Sequence, residues 1–433
     1  MSVRADHQVQ AAVKSRPWIT LLPGYTLYCL IKVVALPFSL IRERRRRKRG
    51  MTGAGRKVRM SGGTPIAPHG TIIEANGLGE TRVGLVAYDQ IEKHSARVAL
   101  MVQKDPAFAL GQTSGRVVGY SAAHNPFSAL LFLAKARPRE IIFIETCSNY
   151  HLAFWARVCR VPTALISVNV SEHLAHRMRR NVLGAWRMNL AERIYAQGEG
   201  YAQRLRQSGV WPEIVHIGGV SLPQSIPTEQ EVASLAEKWR RILQILPDQP
   251  VILAGSTYEE DDALIVQAFG RLDPALNAIL VVAPRHLHRS MSAYPNAVHR
   301  SKLAEEHRGN RRIVILDTSG ELGELYALAN VAHIGGTQSA KLGGHTPVEP
   351  LTFGVPFTTG PEYGRQEPVT LAALQSGAAW LTCTPQEMAI HWESAIRNPG
   401  LRHLAKQTFM KLIEENRDVF ARMYIAALKG RRG

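Results

Sequence analysis

The sequence has 433 residues, too many for one ordinary hydrophobic core and suited to two domains of common size. Hydrophobic residues make up 45% and charged residues 20%, a balance that excludes a disordered or fibrous chain. The formal net charge of +18 favours anionic partners, namely nucleic acid, acidic lipid or phosphorylated substrates.

Segment 18–41, WITLLPGYTLYCLIKVVALPFSLI, is mostly apolar. About 20 such residues cross a bilayer core as a helix. This run has that length but carries Pro23, Lys32 and Pro37. It predicts a membrane-anchoring helix that either spans the bilayer or lies in the interface, with Trp18, Tyr25 and Tyr28 at headgroup level. A buried hairpin of a soluble domain is the alternative. The basic block 42–49, RERRRRKR, comes next, with Arg56, Lys57 and Arg59 close behind. Its place after the apolar run disfavours a cleaved signal peptide. The positive-inside rule puts the block and the rest of the chain in the cytoplasm, and such a block grips anionic lipid at about 1 kcal/mol per cation. Without interleaved aromatics or a recognition motif it does not argue for nucleic acid. Residues 1–50 thus read as anchor and basic segment, and the Gly-, Pro- and Ser-rich 51–69 as a linker.

Short apolar runs then alternate with helical patterns. Strands are predicted at Thr71–Ala75, Val98–Val102, 141–144, Thr163–Val168, 194–196 and 214–217, with amphipathic stretches such as 127–136 and 172–183 between them. The run PQSIP at 223–227 breaks the pattern. Strands resume at 251–254, 279–282, 313–316, Val331–Ile334 and 356–358, and a helical tail fills 399–433. Alternation of this kind implies parallel sheets of βαβ units. The expectation is an α/β chain with two Rossmann-like, doubly wound domains, 70–222 and 228–398, facing a cleft, with ligands at the strands' carboxyl ends. The cysteines, Cys29, Cys147, Cys159 and Cys383, have no CxxC or zinc spacing and read as small buried hydrophobes.

Three places carry candidate chemistry. The first strand runs through Asn76-Gly77-Leu78-Gly79-Glu80-Thr81 into a helix. This is not the dinucleotide fingerprint, because Arg82 stands where a third glycine belongs. Glu80 is either a general base on a hydroxyl or an acidic residue that steadies the helix dipole. Strand 279–283 ends in Pro284-Arg285-His286. Arg285 reads as a clamp on phosphate or carboxylate, or as a surface arginine. His286 and His288 lack the spacing and the carboxylates of a metal site. After Val331–Ile334 comes GGTQSAKLGGHTPVEP, 335–350, which lacks the Walker spacing. Thr346 as N-cap, Pro347 as first and Glu349 as third helical residue fit a capping box. The same helix start can bind a phosphate while Glu349 accepts from ribose hydroxyls.

Ordered along the chain are Gly79-Glu80-Thr81; Ile144-Glu145-Thr146 with Asn149; Ser256-Thr257; Pro284-Arg285-His286; Asp317-Thr318 with Gly320-Glu321-Leu322; Gly335-Gly336; Gly343-Gly344-His345; and Glu349-Pro350. Together they resemble the 3-deoxy-D-manno-octulosonic acid (Kdo) transferases of lipopolysaccharide synthesis, over roughly 15–425. The resemblance implies the GT-B fold and an anchor on the cytoplasmic face of the cell inner membrane. It implies inverting transfer of Kdo, or a related ulosonic acid, from a CMP-sugar to a lipid A precursor or a lipopolysaccharide core acceptor. Glu80 and Arg285 would be catalytic. Ser256, Pro284, His286, Gly320, Glu321, Leu322, Gly336, Thr337, Gly343, Gly344, His345, Thr346 and Glu349 would hold the nucleotide sugar, and Gly79, Glu145 and Asn149 would face the acceptor. Anionic lipids are expected partners. No metal, no cofactor and no nucleic acid are expected. The chain departs from the family at Cys147 for the second acid of E-T-E, at Ser167–Ser171 for N-A-R-L-S, at Tyr258 for the His of S-T-H and at Thr346 for the Asn of G-G-H-N. Two alternatives stay open: a GT-B transferase with a different donor, and a catalytically degenerate, membrane-bound glycolipid-binding scaffold.

Overall fold

The computed structural model describes residues 16–34, 55–223, 226–303, 305 and 307–429. The basic block 42–49 and the apolar residues after Val34 lie outside them. The chain divides into two compact units, Met1–Ser221 with Asp418–Gly433, and Leu222–Arg417.

The first unit holds seven parallel strands in the order β3-β2-β1-β4-β5-β6-β7. They are β1 (Thr71–Ala75), β2 (Val98–Val102), β3 (Val118–Tyr120), β4 (Glu140–Ile144), β5 (Thr163–Val168), β6 (Arg193–Ala196) and β7 (Val215–Ile217). Helices connect them, as parallel neighbouring strands need. Because side chains alternate across a strand, Ile72, Met101, Phe143 and Leu165 feed one core and Ile73, Leu100, Ile142 and Ile166 the other. With both faces covered, the strands read as continuous apolar runs.

The second unit repeats the plan in the order β10-β11-β9-β8-β12-β13-β14. Its strands are β8 (Val251–Thr257), β9 (Ile279–Pro284), β10 (Val298–His299), β11 (Ile313–Ile315), β12 (Val331–Ile334), β13 (Phe357–Thr359) and β14 (Ala379–Leu381). All are parallel.

Three expectations change. Part of the linker is folded. Helix Arg56–Met60 lies within it, Thr64 N–H donates to the Tyr120 carbonyl at 2.8 Å, and Gly63, at φ +82°, lies so close to that carbonyl that a Cβ would come within 2.6 Å of it. The glycines mark tight packing here, not slack. The tail is not one piece. Helix Gly400–Glu415 stays with the second unit, while Val419–Lys429 belongs to the first. There Phe420 and Tyr424 join the core beside Tyr88 and Ile91, and the Phe420 N–H donates to Gln90 Oε1 at 2.8 Å.

The third change concerns the anchor. Among the described residues no helix is long and apolar enough to cross a membrane. The apolar N-terminal run forms helix Leu22–Val34, which packs on the first unit. Tyr25 stacks on Phe154 with ring centroids 3.8 Å apart, and its hydroxyl lies 2.8 Å from His151 Nδ1. Trp186 donates to the Leu21 carbonyl at 3.0 Å. Gly24 permits this, since a Cβ there would lie 2.2 Å from the Trp186 ring. The tyrosines placed at headgroup level by sequence are therefore buried. Leu30, Ile31, Val33 and Val34 point outward, Val34 being 74% exposed.

Candidate functional site

In each sheet the strand order reverses beside the first strand, and ligands of such sheets bind where it does. In the first unit that point is β1/β4, so the residues after β1 and after β4 become neighbours although far apart in sequence. Glu80 sits in the first turn of helix Leu78–Glu92, and its carboxylate accepts the Gly77 N–H. The helix-steadying role is thus present. A Cβ on Gly77 would lie 2.9 Å from Glu80 Oε2 and 3.7 Å from Lys104 Nζ, which brings Lys104, absent from the sequence reading, beside Glu80. Gly79 is exposed with open space over it.

Glu145 follows β4 with φ +59°, a left-handed backbone that a residue with a Cβ seldom adopts. Strain of this kind gathers at functional sites. Burial pushes its carboxyl up to about 7, and the neighbouring Glu80 charge adds to the rise. The two carboxylates named from sequence thus share one site, as the switch point requires. Asn149 does not offer itself there. It is fully buried, its Oδ1 accepts the Leu152 N–H at 3.2 Å, and its Nδ2 donates to the Ala122 carbonyl at 3.1 Å. It caps helix Tyr150–Val158.

The same strand ends carry a buried polar network that no motif announced. Glu74 on β1 is 1% exposed. Gln103 Nε2 donates to Glu74 Oε1 at 2.7 Å and to Ser148 Oγ at 2.9 Å. Gln103 Oε1 meets His124 Nε2, and Arg59 donates to the Gln103 carbonyl at 2.9 Å. One amide side chain therefore ties the carboxyl ends of β1, β2 and β4 together. Burial raises the Glu74 carboxyl to about 7 and, helped by the Arg59 charge, lowers His124 to about 4. An acid in a strand interior was the sole signal that sequence offered.

In the second unit the switch point is β8/β12. Ser256, at φ +56°, ends the regular part of β8, and the register against β9 slips there. Gly335 approaches so closely that a Cβ would lie 2.5 Å from the Ser256 carbonyl oxygen. Asp261 pins the loop: its Oδ2 accepts the N–H of Tyr258 and of Gly336, both at 2.8 Å. The loop then returns on itself, Gly344 N–H donating to the Gly336 carbonyl at 3.0 Å. Gly336, Gly343 and Gly344 all have positive φ. Thr337 is buried and spent on the fold, donating to the Ile334 carbonyl and accepting the Gly360 N–H.

His345 stacks on Tyr258, its Nε2 lying 3.2 Å from the Tyr258 hydroxyl. Burial lowers it to about 4, and the charges of Arg285, Arg365 and His286 lower it further. The glycine loop therefore carries a neutral imidazole among cationic groups. Arg285 and Arg365 are exposed, and their forks suit phosphate or carboxylate. Arg365, in the loop after β13, was missed because no motif surrounds it. Pro284 ends β9 and is buried.

The predicted capping box is not formed. The helix runs Val348–Thr352 with Pro347 as N-cap, and the Thr346 hydroxyl accepts from Val348 N–H at 3.3 Å, a turn two residues on. Glu349 is the second residue, not the third, and is exposed. In the loop after β11, Gly320 has φ +86°, and Leu322 comes within 3.7 Å of a Cβ placed on Gly255. Glu321 is held by the Thr318 hydroxyl and by Arg300 at 3.2 Å. Among the described residues no group of three His, Cys, Asp or Glu could hold a metal.

The fold is similar to the solved structure of Anabaena Alr3699/HepE in complex with UDP. That structure matches with a TM-score of 0.60 at 13% identity, covering 83% of this chain and 99% of that one. The fold is of GT-B type, the fold of a large class of glycosyltransferases. The family model described as 3-deoxy-D-manno-octulosonic-acid transferase (kdotransferase) matches residues 45–220. The chain is similar to the 3-deoxy-D-manno-octulosonic acid transferase of Rickettsia bellii, 23% identical over 80% of this chain and 84% of that protein. It is also similar to the enzyme of that name from Haemophilus influenzae, 26% identical over 54% of this chain but only 56% of that protein. The similarity to Kdo transferases thus runs through both units at low identity, and the family's own model matches within the first.

Proposed function

We propose that the protein transfers Kdo, or a closely related ulosonic acid, from its CMP-sugar to a lipid A precursor or a lipopolysaccharide core acceptor. The cationic rim around the neutral His345 carries this reading. A CMP-ulosonic acid presents a phosphate and a carboxylate, and Arg285 and Arg365 can hold one each. Gly336 and the backbone from Gly343 to Thr346 line the phosphate's place, with Glu349 near a ribose. Glu80 takes the proton of the acceptor hydroxyl as its oxygen attacks the anomeric carbon. The bond to the CMP phosphate oxygen breaks on the opposite side, so the anomeric centre inverts. Arg285 stabilises the departing charge, an effect worth about 3 to 4 kcal/mol per donor in well-studied sites.

The outward residues of helix Leu22–Val34 fit an interfacial helix lying on the inner membrane's cytoplasmic leaflet. A second reading, a different donor, is favoured by Tyr258. Where the family has a histidine, this chain places a phenol against His345, which changes the shape and the donors over the glycine loop.

The test is purified protein with CMP-Kdo and a tetraacylated lipid A precursor, followed by mass spectrometry of the glycolipid. A mass gain of one Kdo, absent in Glu80→Ala, supports the reading. Acceptor-dependent release of UDP from UDP-sugars, with CMP-Kdo inert, transfers support to the second.

A further inference from the structure

We propose that the first unit binds a single anionic phospholipid in a pocket at the amino ends of β4 and β5. This lies at the opposite end of the sheet from Glu80 and Glu145. The pocket holds about 580 Å³ and is lined by Leu130, Leu133, Val161, Arg137, Arg139 and Arg160 among others. All three arginines are exposed, and among the described residues none meets a carboxylate.

Two of them sit where a side chain is unwelcome. Arg137 caps helix Pro126–Ala136 with φ +40° and ψ +55°, and Arg160, just past helix Tyr150–Val158, has φ +57°. Glycine is the usual residue at such helix ends because a Cβ crowds the left-handed backbone. Their dipole needs are met otherwise, since Lys135 and Arg157 already stand in the two last turns. The arginine heads therefore have another use, and three free guanidiniums around one opening form a phosphate site.

The apolar part points to the rest of the ligand. Phe127, Leu130 and Ala134, spaced i, i+3 and i+7, share one outward helix face that leads to the pocket. All three are exposed, Phe127 at 73%. A lone phosphate has no need of this stripe, and an acyl chain does. The chemistry is that of an anionic phospholipid, its phosphate at the arginines and a chain along the helix.

This rests on the reading that the first unit works at a lipid surface, and it adds a stoichiometric site there. Cys159 lines the pocket and is exposed, while Cys383, exposed in the other unit, serves as internal control. The full chain is treated with N-ethylmaleimide and labelling of each cysteine is followed by peptide mass spectrometry. The lipid is dihexanoyl phosphatidylglycerol below its micelle concentration. At saturation it should slow Cys159 about tenfold relative to Cys383, while dihexanoyl phosphatidylcholine and inorganic phosphate leave the ratio unchanged. The double variant Arg137→Gly, Arg160→Gly, whose backbone suits both positions, should unfold no earlier than the parent yet lose the protection. Leu30→Glu, which tests helix Leu22–Val34 on vesicles, should keep it. Unprotected Cys159, equal protection by phosphatidylcholine or phosphate, or persisting protection in the double variant overturns the proposal.

Discussion

The two units solve the same architectural problem with different materials. In the first, the switch point is furnished with two neighbouring carboxylates, Glu80 and Glu145, and the same strand ends carry a buried side-chain network of Glu74, Gln103 and His124. In the second it is furnished with left-handed glycines and arginines, and the support is a single aspartate gripping two backbone N–H groups. A carboxylate that must take a proton benefits from a neighbour that resists ionisation. A site for anions benefits from backbone that can approach closely and cations that cannot lose charge. Each unit's switch point is thus furnished for a different kind of chemistry, carboxylates in the first and anion-binding groups in the second.

That division is open to attack, first at its strongest point. Glu80→Ala should lower CMP release by about 10²- to 10⁴-fold while donor affinity stays near normal and stability falls by no more than about 1 kcal/mol; stopped-flow turnover beside donor titration reads both. Near-normal turnover would remove the carboxylate half of the comparison. Next is Arg285→Ala, expected to cost about 10² in turnover and to raise the donor KM, with Arg365→Ala acting mainly on KM. If neither changes donor binding, the cationic half fails.

The buried network gives a pH signature. Glu74 titrates near 7 in the fold against an ordinary value of 4.5. Between these values the folded chain holds a proton that the unfolded chain has released, so this residue's contribution to stability falls as pH rises from about 5 to 7. Glu74→Gln should remove that fall, gaining on the parent by up to about 3 kcal/mol at pH 8 relative to pH 5 in urea unfolding. Parallel pH profiles for the two proteins would show that Glu74 is ionised throughout. The smallest effect is assigned to Asp261→Asn, about tenfold in donor KM with kcat little changed. Burial lifts Asp261 to about 6, so the parent's donor affinity should weaken below pH 6 as the carboxylate is protonated, and the variant's should not.

The strands were legible wherever a run of apolar residues is buried on both faces, as at Thr71–Ala75, Val98–Val102, Thr163–Val168 and Val331–Ile334. Short edge strands such as β3 and β14, of three residues each, leave too little pattern to read. The meeting of Glu80 with Glu145 could be foreseen only by way of the family, since strand order is set by tertiary packing. Lys104 and Arg365 carry no motif, and their places depend on loops that sequence does not specify. Thr346 misled because T-x-x-E describes two local geometries, and a proline at the N-cap selects the shorter turn. Departures from the family's motifs fall in the first unit at Cys147 and Ser167–Ser171, yet the family model matches there, over 45–220.

The helix Val419–Lys429 closes the core of the first unit although it is synthesised after the whole of the second. A ribosome adding about 5 to 20 residues per second therefore leaves the apolar flank of helix Leu78–Glu92, with Tyr88 and Ile91, uncovered for on the order of ten seconds or more. During that interval the nascent chain presents a sticky layer that lacks its covering helix while the inserted unit matures. Cellular yield should accordingly depend on holdase capacity more than on the final stability of either unit.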